Sequence, residues 1–414
     1  MLGSVSAAPA APAAPISAAL QSPPRVTVEM LRAAETVIGV RHTPAQRAQM
    51  LERIESDLNA YAQLRELTLP NDLAPPLVFS PLLPGRTAAP APRTPGALSH
   101  SRRNVVLPQS RGDVAFMPVL DLAELIRTRK LTSTQLTNIY LERLELHNPT
   151  LRCVVNLTPE LALSQAAQAD DEIEAGVYRG PLHGIPYGVK DIISAPGYPT
   201  TWGAKVYENR VFATAATVID RLEAAGAVLV AKLAMGELGL SDTWYGGQTM
   251  DPWNPEVGAF GSSAGSAVAV SAGLVGFAIG AETMGSIVTP AARNGVTGLR
   301  PTFGRVSRYG VMTLCWSLDK LGPIARDVEG CAVILEAIAG ADAKDPAATA
   351  LRFEWEPELA LQSLRVGYFK WAFEQDHPAK AQTDAALESL RQLGVRPIEV
   401  EMPSDLPVNA ALLV

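Results

Sequence analysis

From about residue 113, short apolar segments alternate with amphipathic segments, and this alternation restricts the fold more than any other feature of the chain. Pro186 to Lys190 and Ala227 to Lys232 are apolar runs of strand length, and a third run extends from Leu274 to Gly280. Thr132 to Gln135 form a capping box, which begins a helix with an apolar face. Because alternating strands and helices are typical of α/β proteins, the sequence predicts a central β-sheet covered by helices on both faces.

Further elements of the same pattern are predicted from local start and stop signals. A strand is predicted from Leu151 to Asn156. Helices are predicted from Thr158 to Gly176, from Ala215 to Ala225 and from Ala264 to Gly273. Gly226 follows the second of these helices, as is common at helix ends.

The N-terminal part of the chain has a different composition. Residues 1–25 are rich in alanine and proline and are predicted to be a disordered leader. Residues 26–80 are predicted to be a helical hairpin extension, and residues 81–112 a linker rich in proline, arginine and serine. Residues 113–414 are predicted to form the main domain. We expect that domain to be incomplete, because the pattern stops without a cap or polar tail at Val414.

The predicted hairpin has clear helix signals. Its first helix is expected from Thr27 to Gly39, and its second has Thr43 as the N-cap and Pro44 at the first helical position. The second helix carries an apolar stripe at i, i+3, i+4 spacing, which consists of Met50, Leu51, Ile54, Leu58 and Tyr61. We expect this stripe to be buried in a core rather than to bind a partner.

Composition and charge exclude several classes of function. The chain has 414 residues, of which 47% are hydrophobic, so it can bury a large core. Its net charge of −7 argues against nucleic acid or an anionic membrane surface as the main partner. The apolar runs are far shorter than the ~20 residues of a membrane span, so no transmembrane segment is predicted. The leader lacks the regions of an intact signal peptide, which leaves the compartment open between the cytoplasm and export.

Cysteine and histidine usage gives no sign of a metal site. The three cysteines form no C-x-x-C pair, and the five histidines form no cluster with the spacing of metal ligands. We therefore predict no metal, no cofactor and no disulfide framework.

The segment from Gly258 to Pro290 carries the strongest chemical signal. Ser262 and Ser286 each lie in a bend made of small residues, and Lys190 lies upstream at the end of a predicted strand. A hydroxyl nucleophile needs a base that removes its proton and donors that stabilise the oxyanion. A lysine and two serines on glycine-rich turns can supply both.

Two other patterns name different nucleophiles. Gly261 to Gly265 match G-x-S-x-G with Ser263 at the centre, but no buried strand precedes that serine, and the only downstream histidine, His377, lacks a distinctive context. Ser317 to Lys320 match S-x-x-K, but the motifs that accompany it in penicillin-recognising enzymes are missing. Neither pattern is therefore favoured as the source of a nucleophile.

From about Leu120 to Ala341 the chain resembles the amidase signature family. The resemblance rests on six motifs in order: G-P-L-H-G-I-P-Y-G-V-K-D, A-G-A-V-L-V-A-K-L-A-M, N-P, G-S-S-A-G-S, G-A-E-T-M-G-S-I and G-V-T-G-L-R-P-T-F-G-R-V-S-R-Y-G. It implies that Ser286 is the nucleophile, that Ser262 follows a cis peptide bond and relays the proton, and that Lys190 is the base. It also implies the amidase signature fold, an α/β fold with a central mixed β-sheet covered by helices on both faces, and an oxyanion hole of backbone N–H groups.

Those N–H groups belong to Thr283, Met284, Gly285 and Ser286, where small residues allow a carbonyl to approach. Lys190 must be desolvated to become neutral at neutral pH, and its apolar neighbours in the sequence fit that need.

The substrate is less well determined by the sequence. Leu238, Gly239 and Leu240 correspond to a pocket-lining part of the family, and together with Met284 they favour an apolar or aryl acyl group. Val288 stands where much of the family has arginine, which weakens the case for a glutamine-like substrate.

The function predicted from this resemblance is hydrolysis of a small-molecule carboxylic amide through an acyl-enzyme on Ser286. A first alternative is the glutaminase-type subunit of a tRNA-dependent amidotransferase. A second is a catalytically inactive amidase fold that only binds. A homodimer is left open.

Overall fold

The computed structural model describes residues 26–67, 104–350, 353 and 360–401. Residues 26–67 and 360–401 belong to one compact unit, and residues 104–350 belong to a second. The predicted leader, residues 81–103 of the predicted linker and the C-terminal end at Val414 lie outside the described residues. The predicted domain boundaries stay a prediction.

The N-terminal helical pair has the predicted limits. Helix α1 (Val28–Ile38) is capped by the Thr27 side chain and ends at Gly39, whose φ of 76° is left-handed. Helix α2 (Pro44–Glu66) begins with a capping box at Thr43.

An ion pair joins these two helices. The buried carboxylate of Glu35 accepts two hydrogen bonds from the Arg47 guanidinium, at 2.8 and 2.7 Å, and Nδ1 of His42 lies 3.1 Å from the same carboxylate. These contacts, chiefly those of Arg47, lower the pKa of Glu35 to about 2.

The apolar stripe of α2 is not buried among the described residues, contrary to prediction. None of the residues of α2 is buried, and those of the stripe are half-buried or exposed. Helix α1 has 11 residues against 23 in α2, so at ~1.5 Å per residue it can cover at most half of its partner.

A six-stranded mixed sheet forms the centre of the second unit. The strands of this unit, including the separate hairpin of β4 and β5, are β1 (Val154–Leu157), β2 (Pro186–Lys190), β3 (Val228–Leu233), β4 (Thr243–Trp244), β5 (Gly247–Gln248), β6 (Phe277–Glu282), β7 (Thr297–Gly298) and β8 (Lys320–Ala325). The strand order of the sheet is β1-β3-β2-β6-β8-β7, in which β2 pairs parallel with β3 and β6 and the other pairings are antiparallel.

Helices pack on both faces of this sheet, as predicted. Along β3, Leu229 belongs to one hydrophobic cluster, while Val228 and Val230 belong to another, which is the alternation of a strand buried on both faces. The first cluster takes side chains from α4, α5, α7 and α10, and the second from α5, α6 and α8. The helices of this unit are α3 (Arg111–Ala115), α4 (Val119–Arg127), α5 (Ser133–Leu151), α6 (Pro159–Glu174), α7 (Thr217–Ala224), α8 (Ala264–Ser271), α9 (Val288–Arg293) and α10 (Val328–Ile338).

Two strands begin later than the sequence predicts. The sequence predicts the start of β6 at Leu274, but residues 274–276 form a buried turn, in which the N–H of Leu274 bonds to a carbonyl of α8. It predicts the start of β1 at Leu151, which is instead the last residue of α5. In both places apolar residues stay buried through the connection, so burial alone does not mark where the strand starts.

The remaining described elements are short. In the unit of residues 26–67 and 360–401, two parallel strands and two helices follow α10: β9 (Gly367–Phe369), α11 (Lys370–Glu374), α12 (Lys380–Gln392) and β10 (Ile398–Val400). Single turns of 3-10 helix occur at Lys205–Tyr207, Glu237–Gly239 and Leu361–Ser363. Among the described helices, none combines the length and the hydropathy needed to cross a lipid bilayer.

Candidate active site

Lys190 is the last residue of β2 and is only 2% exposed to solvent. Its Nζ lies 2.7 Å from Oγ of Ser262 and 3.0 Å from the carbonyl oxygen of Ala281. Burial lowers the pKa of Lys190 to about 7, against the opposing charges of Asp319 and Glu282. A lysine with such a pKa is partly neutral at neutral pH and can accept a proton there.

Ser262 is buried and lies just before α8. The peptide bond between Gly261 and Ser262 is cis, as the resemblance implies. A side chain at position 261 would place its Cβ 1.7 Å from the carbonyl oxygen of Ser241, so only glycine fits there. This close approach fixes the backbone next to the Ser262 hydroxyl.

Ser263, the centre of the G-x-S-x-G pattern, has a different environment. Its Oγ donates to the Ala281 carbonyl at 3.0 Å and accepts from the Ala281 N–H at 3.2 Å. Both contacts tie the start of α8 to β6. The Ser263 hydroxyl therefore has a structural role in joining these elements.

Ser286 lies in the segment that connects β6 to α9 and contributes to the same cavity as Lys190 and Ser262. The carboxylate of Glu282 joins the two ends of this segment, because it accepts hydrogen bonds from the N–H groups of Ile287 and Val288 at 2.8 and 3.0 Å. Among the described residues, none is hydrogen-bonded to the Ser286 hydroxyl.

The backbone N–H groups of residues 283–286 are available for a ligand. Within the described part of the chain, none of these four groups donates to a backbone or side-chain acceptor. Gly285 has a φ of 154°, a conformation that side chains rarely adopt. Four consecutive unpaired donors beside a serine hydroxyl can stabilise an oxyanion.

The cavity is partly open to solvent. One part of its wall is apolar and consists of Ile192, Met235, Val311, Met312, Leu314 and Leu321. The charged side chains in the wall, besides Lys190, are Glu282, Arg308, Asp319 and Lys320. Arg308 is paired with Asp345 and donates to the carbonyl of Trp316.

A model of the amidase family matches residues 135–413 of the chain. The chain belongs to the amidase signature family. It is 38% identical over 302 residues to one component of the glutamyl-tRNA(Gln) amidotransferase of Acinetobacter baumannii (strain AB0057), and the match covers 70% of this chain and 61% of that protein. It is 42% identical over 259 residues to the putative amidase AmiD of Mycobacterium tuberculosis (strain CDC 1551 / Oshkosh), and that match covers 61% of this chain and 54% of that protein.

Solved structures of other family members are similar in fold. The peptide amidase from Stenotrophomonas maltophilia is 38% identical and superposes with a TM-score of 0.64, over 69% of this chain and 62% of that chain. The mixed sheet with helices on both faces is therefore the amidase signature fold. The chain spans about three fifths of the length of the first curated relatives it matches.

Of the four residues predicted to line a substrate pocket, the structure places only one in the cavity wall. Gly239 lies in the cavity wall, next to Leu314. Leu238, Leu240 and Met284 are exposed and do not line the cavity. Their role in substrate binding stays a prediction.

Sequence reasoning missed several residues around this candidate site. Asp191, the residue after Lys190 in the chain, forms a fully buried ion pair with Lys232 at 2.7 Å. Asp319 and Lys320 reach the cavity wall, although the S-x-x-K pattern marks their segment only as a disfavoured nucleophile motif. Among the described residues, no group of three or more histidine, cysteine or acidic side chains is placed to hold a metal ion.

Proposed function

We propose that the chain hydrolyses the C–N bond of a linear carboxylic amide, with Ser286 as nucleophile and Ser262 and Lys190 as the proton relay. The observation that carries the proposal is the buried 2.7 Å contact between Lys190 Nζ and Ser262 Oγ, in a cavity that also contains Ser286. Burial holds Lys190 near neutrality, and no carboxylate of the described residues is hydrogen-bonded to its Nζ.

In the first half-reaction, neutral Lys190 accepts the Ser262 proton while Ser262 takes the proton of Ser286. The Ser286 Oγ attacks the amide carbonyl carbon, and the carbonyl oxygen becomes an oxyanion between the N–H groups of residues 283–286. The C–N bond then breaks as Ser262 protonates the leaving nitrogen and regains a proton from Lys190. The amine leaves, and the acyl group stays on Ser286.

In the second half-reaction, water attacks the acyl-enzyme through the same relay. Its proton passes through Ser262 to Lys190. The second oxyanion then collapses and the bond to Ser286 Oγ breaks, as Lys190 returns the proton through Ser262 to that oxygen. This step releases the carboxylic acid and restores the Ser286 hydroxyl and neutral Lys190. Each of these proton transfers uses a group of the chain itself.

An apolar or aryl acyl group fits the cavity best. Six apolar side chains form part of its wall, and Arg308 is already paired with Asp345. A neutral, apolar acyl group can displace water from this wall favourably.

Intact mass after incubation with a small fluorophosphonate tests the nucleophile and its activation. Wild type is expected to gain one adduct, which maps to Ser286. Ser286→Ala should gain none, and Lys190→Ala should react far more slowly, because its nucleophile lacks a base. Folded wild-type protein that stays unlabelled would contradict the proposal and favour an inactive fold that only binds.

A second candidate is the glutaminase-type subunit of a tRNA-dependent amidotransferase. It is favoured by the 38% identity to a component of such an enzyme, whereas Val288 in place of the family's arginine speaks against it. Glutamine and an apolar amide such as benzamide should be compared as substrates of the same preparation. Turnover of glutamine alone, together with co-purification of a partner protein, would favour this second candidate.

A further inference from the structure

Thr283, the first residue after β6, is held from two directions. Its hydroxyl donates to Oδ1 of Asp319 at 2.6 Å, and its carbonyl accepts from Nζ of Lys320 at 3.0 Å. Lys320 begins β8 and is the register partner of Glu282 in β6. The contact to Thr283 therefore crosses between two paired strands, at the point where the segment of predicted oxyanion donors begins.

The second carboxylate oxygen of Asp319 is also fully used. It accepts from the N–H groups of Leu314 and Cys315, at 2.8 and 2.9 Å. Leu314 belongs to the cavity wall, where its side chain lies next to Gly239. One carboxylate thus joins the segment that begins at Thr283 to the turn that forms part of the wall.

We infer that Asp319 is a positioning residue, which acts through Thr283 to place the oxyanion donors of residues 283–286. The inference rests on the proposed function. The far end of this segment is fixed by Glu282, whose carboxylate binds the N–H groups of residues 287 and 288. Asp319 and Lys320 supply the matching constraint at the near end. Both ends are then fixed, and donors that are held in place before reaction stabilise an oxyanion best.

The contacts of Asp319 depend on its side-chain acceptors. Asp319 accepts three hydrogen bonds, two of them on one oxygen. An asparagine can keep all three contacts, because its oxygen can accept from the N–H groups of Leu314 and Cys315 while its NH₂ donates to the Thr283 hydroxyl, which also accepts. Asp319→Ala removes every acceptor and breaks the connection. Asp319→Asn is therefore the conservative control for Asp319→Ala.

A double-mutant cycle tests whether Asp319 acts through the Thr283 hydroxyl. Thr283→Val removes the hydroxyl but keeps the backbone N–H, and Thr283→Ser keeps both. For an amide that wild type hydrolyses, we expect Asp319→Ala and Thr283→Val each to lower kcat about tenfold to a hundredfold, less than the loss of a whole oxyanion donor. The double variant should fall little further than Asp319→Ala alone. Thr283→Ser should lose much less than Thr283→Val, and Asp319→Asn much less than Asp319→Ala.

A second measurement separates positioning from a general loss of structure. An aldehyde with the acyl group of the substrate forms a tetrahedral adduct on the serine, and its oxygen needs the same donors as the oxyanion. Its Ki should rise in Asp319→Ala by about the factor by which kcat falls, and much less in Asp319→Asn, while Tm changes little. Ser317→Ala is the matched control, because Ser317 lies in the same turn outside the cavity wall and should keep the wild-type kcat and Ki.

The inference is overturned if the two single losses multiply in the double variant, or if Thr283→Val keeps the kcat of wild type. It is also overturned if Asp319→Ala leaves the aldehyde Ki unchanged. Failure of the proposed function would give a different result. Either wild type would not hydrolyse the amide, or Ser286→Ala would keep the wild-type activity, and both are measured before the Asp319 and Thr283 variants are compared.

Discussion

Two buried lysines on neighbouring strands have opposite surroundings. Lys190 ends β2 and is 2% exposed, while Lys232 lies in β3 opposite Val189 and is fully buried. Lys190 contacts a serine hydroxyl and a carbonyl oxygen. Lys232 contacts the carboxylate of Asp191 at 2.7 Å and the hydroxyl of Thr200 at 2.8 Å. The two sites have the same residue type and similar burial, so their difference lies in their partners.

Asp191 decides this difference, although it follows Lys190 directly in the chain. Its carboxylate turns to Lys232 and also accepts from the N–H and the hydroxyl of Thr201. Burial lowers the pKa of Lys232, and Asp191 opposes that shift with an ion pair that favours the charged form. Lys190 has only distant carboxylates among the described residues to oppose burial, and it comes close to neutrality. Of these two lysines, burial therefore favours a neutral amine that can act as a base at Lys190, which no carboxylate of the described residues contacts.

Of the substitutions that test the difference between the two lysines, the one at Lys190 is expected to have the largest effect, which falls on activity. Lys190→Met should lower kcat by a factor on the order of 10² to 10⁴, the range for loss of a general base. Tm should change little, because no charged partner in the described part of the chain is hydrogen-bonded to the buried amine and would be left behind. Steady-state kinetics and a thermal melt on the same preparation check both statements. A variant with wild-type kcat would remove Lys190 from the relay.

Lys232→Met should give the reverse pattern, with a smaller effect that falls on stability. Asp191 would be left charged and buried, which typically costs about 3–5 kcal/mol of unfolding free energy. Denaturant unfolding measures this loss. The double variant Lys232→Met/Asp191→Leu should be more stable than the single variant, because no charge is left unpaired. If Lys232→Met unfolds like wild type, the ion pair has no structural role.

The two lysines also differ in how far the sequence could predict them. Lys190, Ser262 and Ser286 each lie in a short motif whose residues are consecutive, so the sequence could name all three as candidate site residues. The Asp191–Lys232 pair joins residues 41 positions apart, and the contact of Asp319 with Thr283 joins residues 36 apart. Such contacts depend on strand register and on how two turns meet, which local patterns do not encode.

The helices and strands also show that local patterns predict only what local contacts determine. The helix starts predicted at Thr43 and Thr132 are correct, because a capping box is a local hydrogen-bond pattern. The predicted start of β6 is wrong by three residues, since Leu274 is buried whether it lies in a strand or in a turn. The stripe on α2 fails as a core prediction because periodicity identifies an apolar face but not its partner.

The pH dependence of activity tests the pKa of Lys190 without any substitution. Lys190 must be neutral to accept a proton, so kcat/KM should rise as pH increases through about 7 and level off above it. In the unfolded chain the lysine has an ordinary pKa of ~10.4. Between about pH 7 and pH ~10.4 it therefore binds more protons in the unfolded chain than in the folded protein. This group should therefore make the free energy of unfolding rise with pH in that window. A profile without a rising limb near neutrality would contradict the assignment.

The smallest expected effect concerns the charges that act on Lys190 from a distance. Asp319 and Glu282 both raise its pKa against the effect of burial, Asp319 more strongly. Glu282→Gln removes one of these charges, so the rising limb of kcat/KM should move to lower pH, and Asp319→Asn should move it further in the same direction. Glu124→Gln is the matched control, because Glu124 pairs with Arg127 on the surface and should leave the limb in place. A limb that stays fixed in Glu282→Gln and Asp319→Asn would show that burial alone sets the pKa of Lys190, and the contrast with Lys232 would then rest entirely on the direct contact of Asp191.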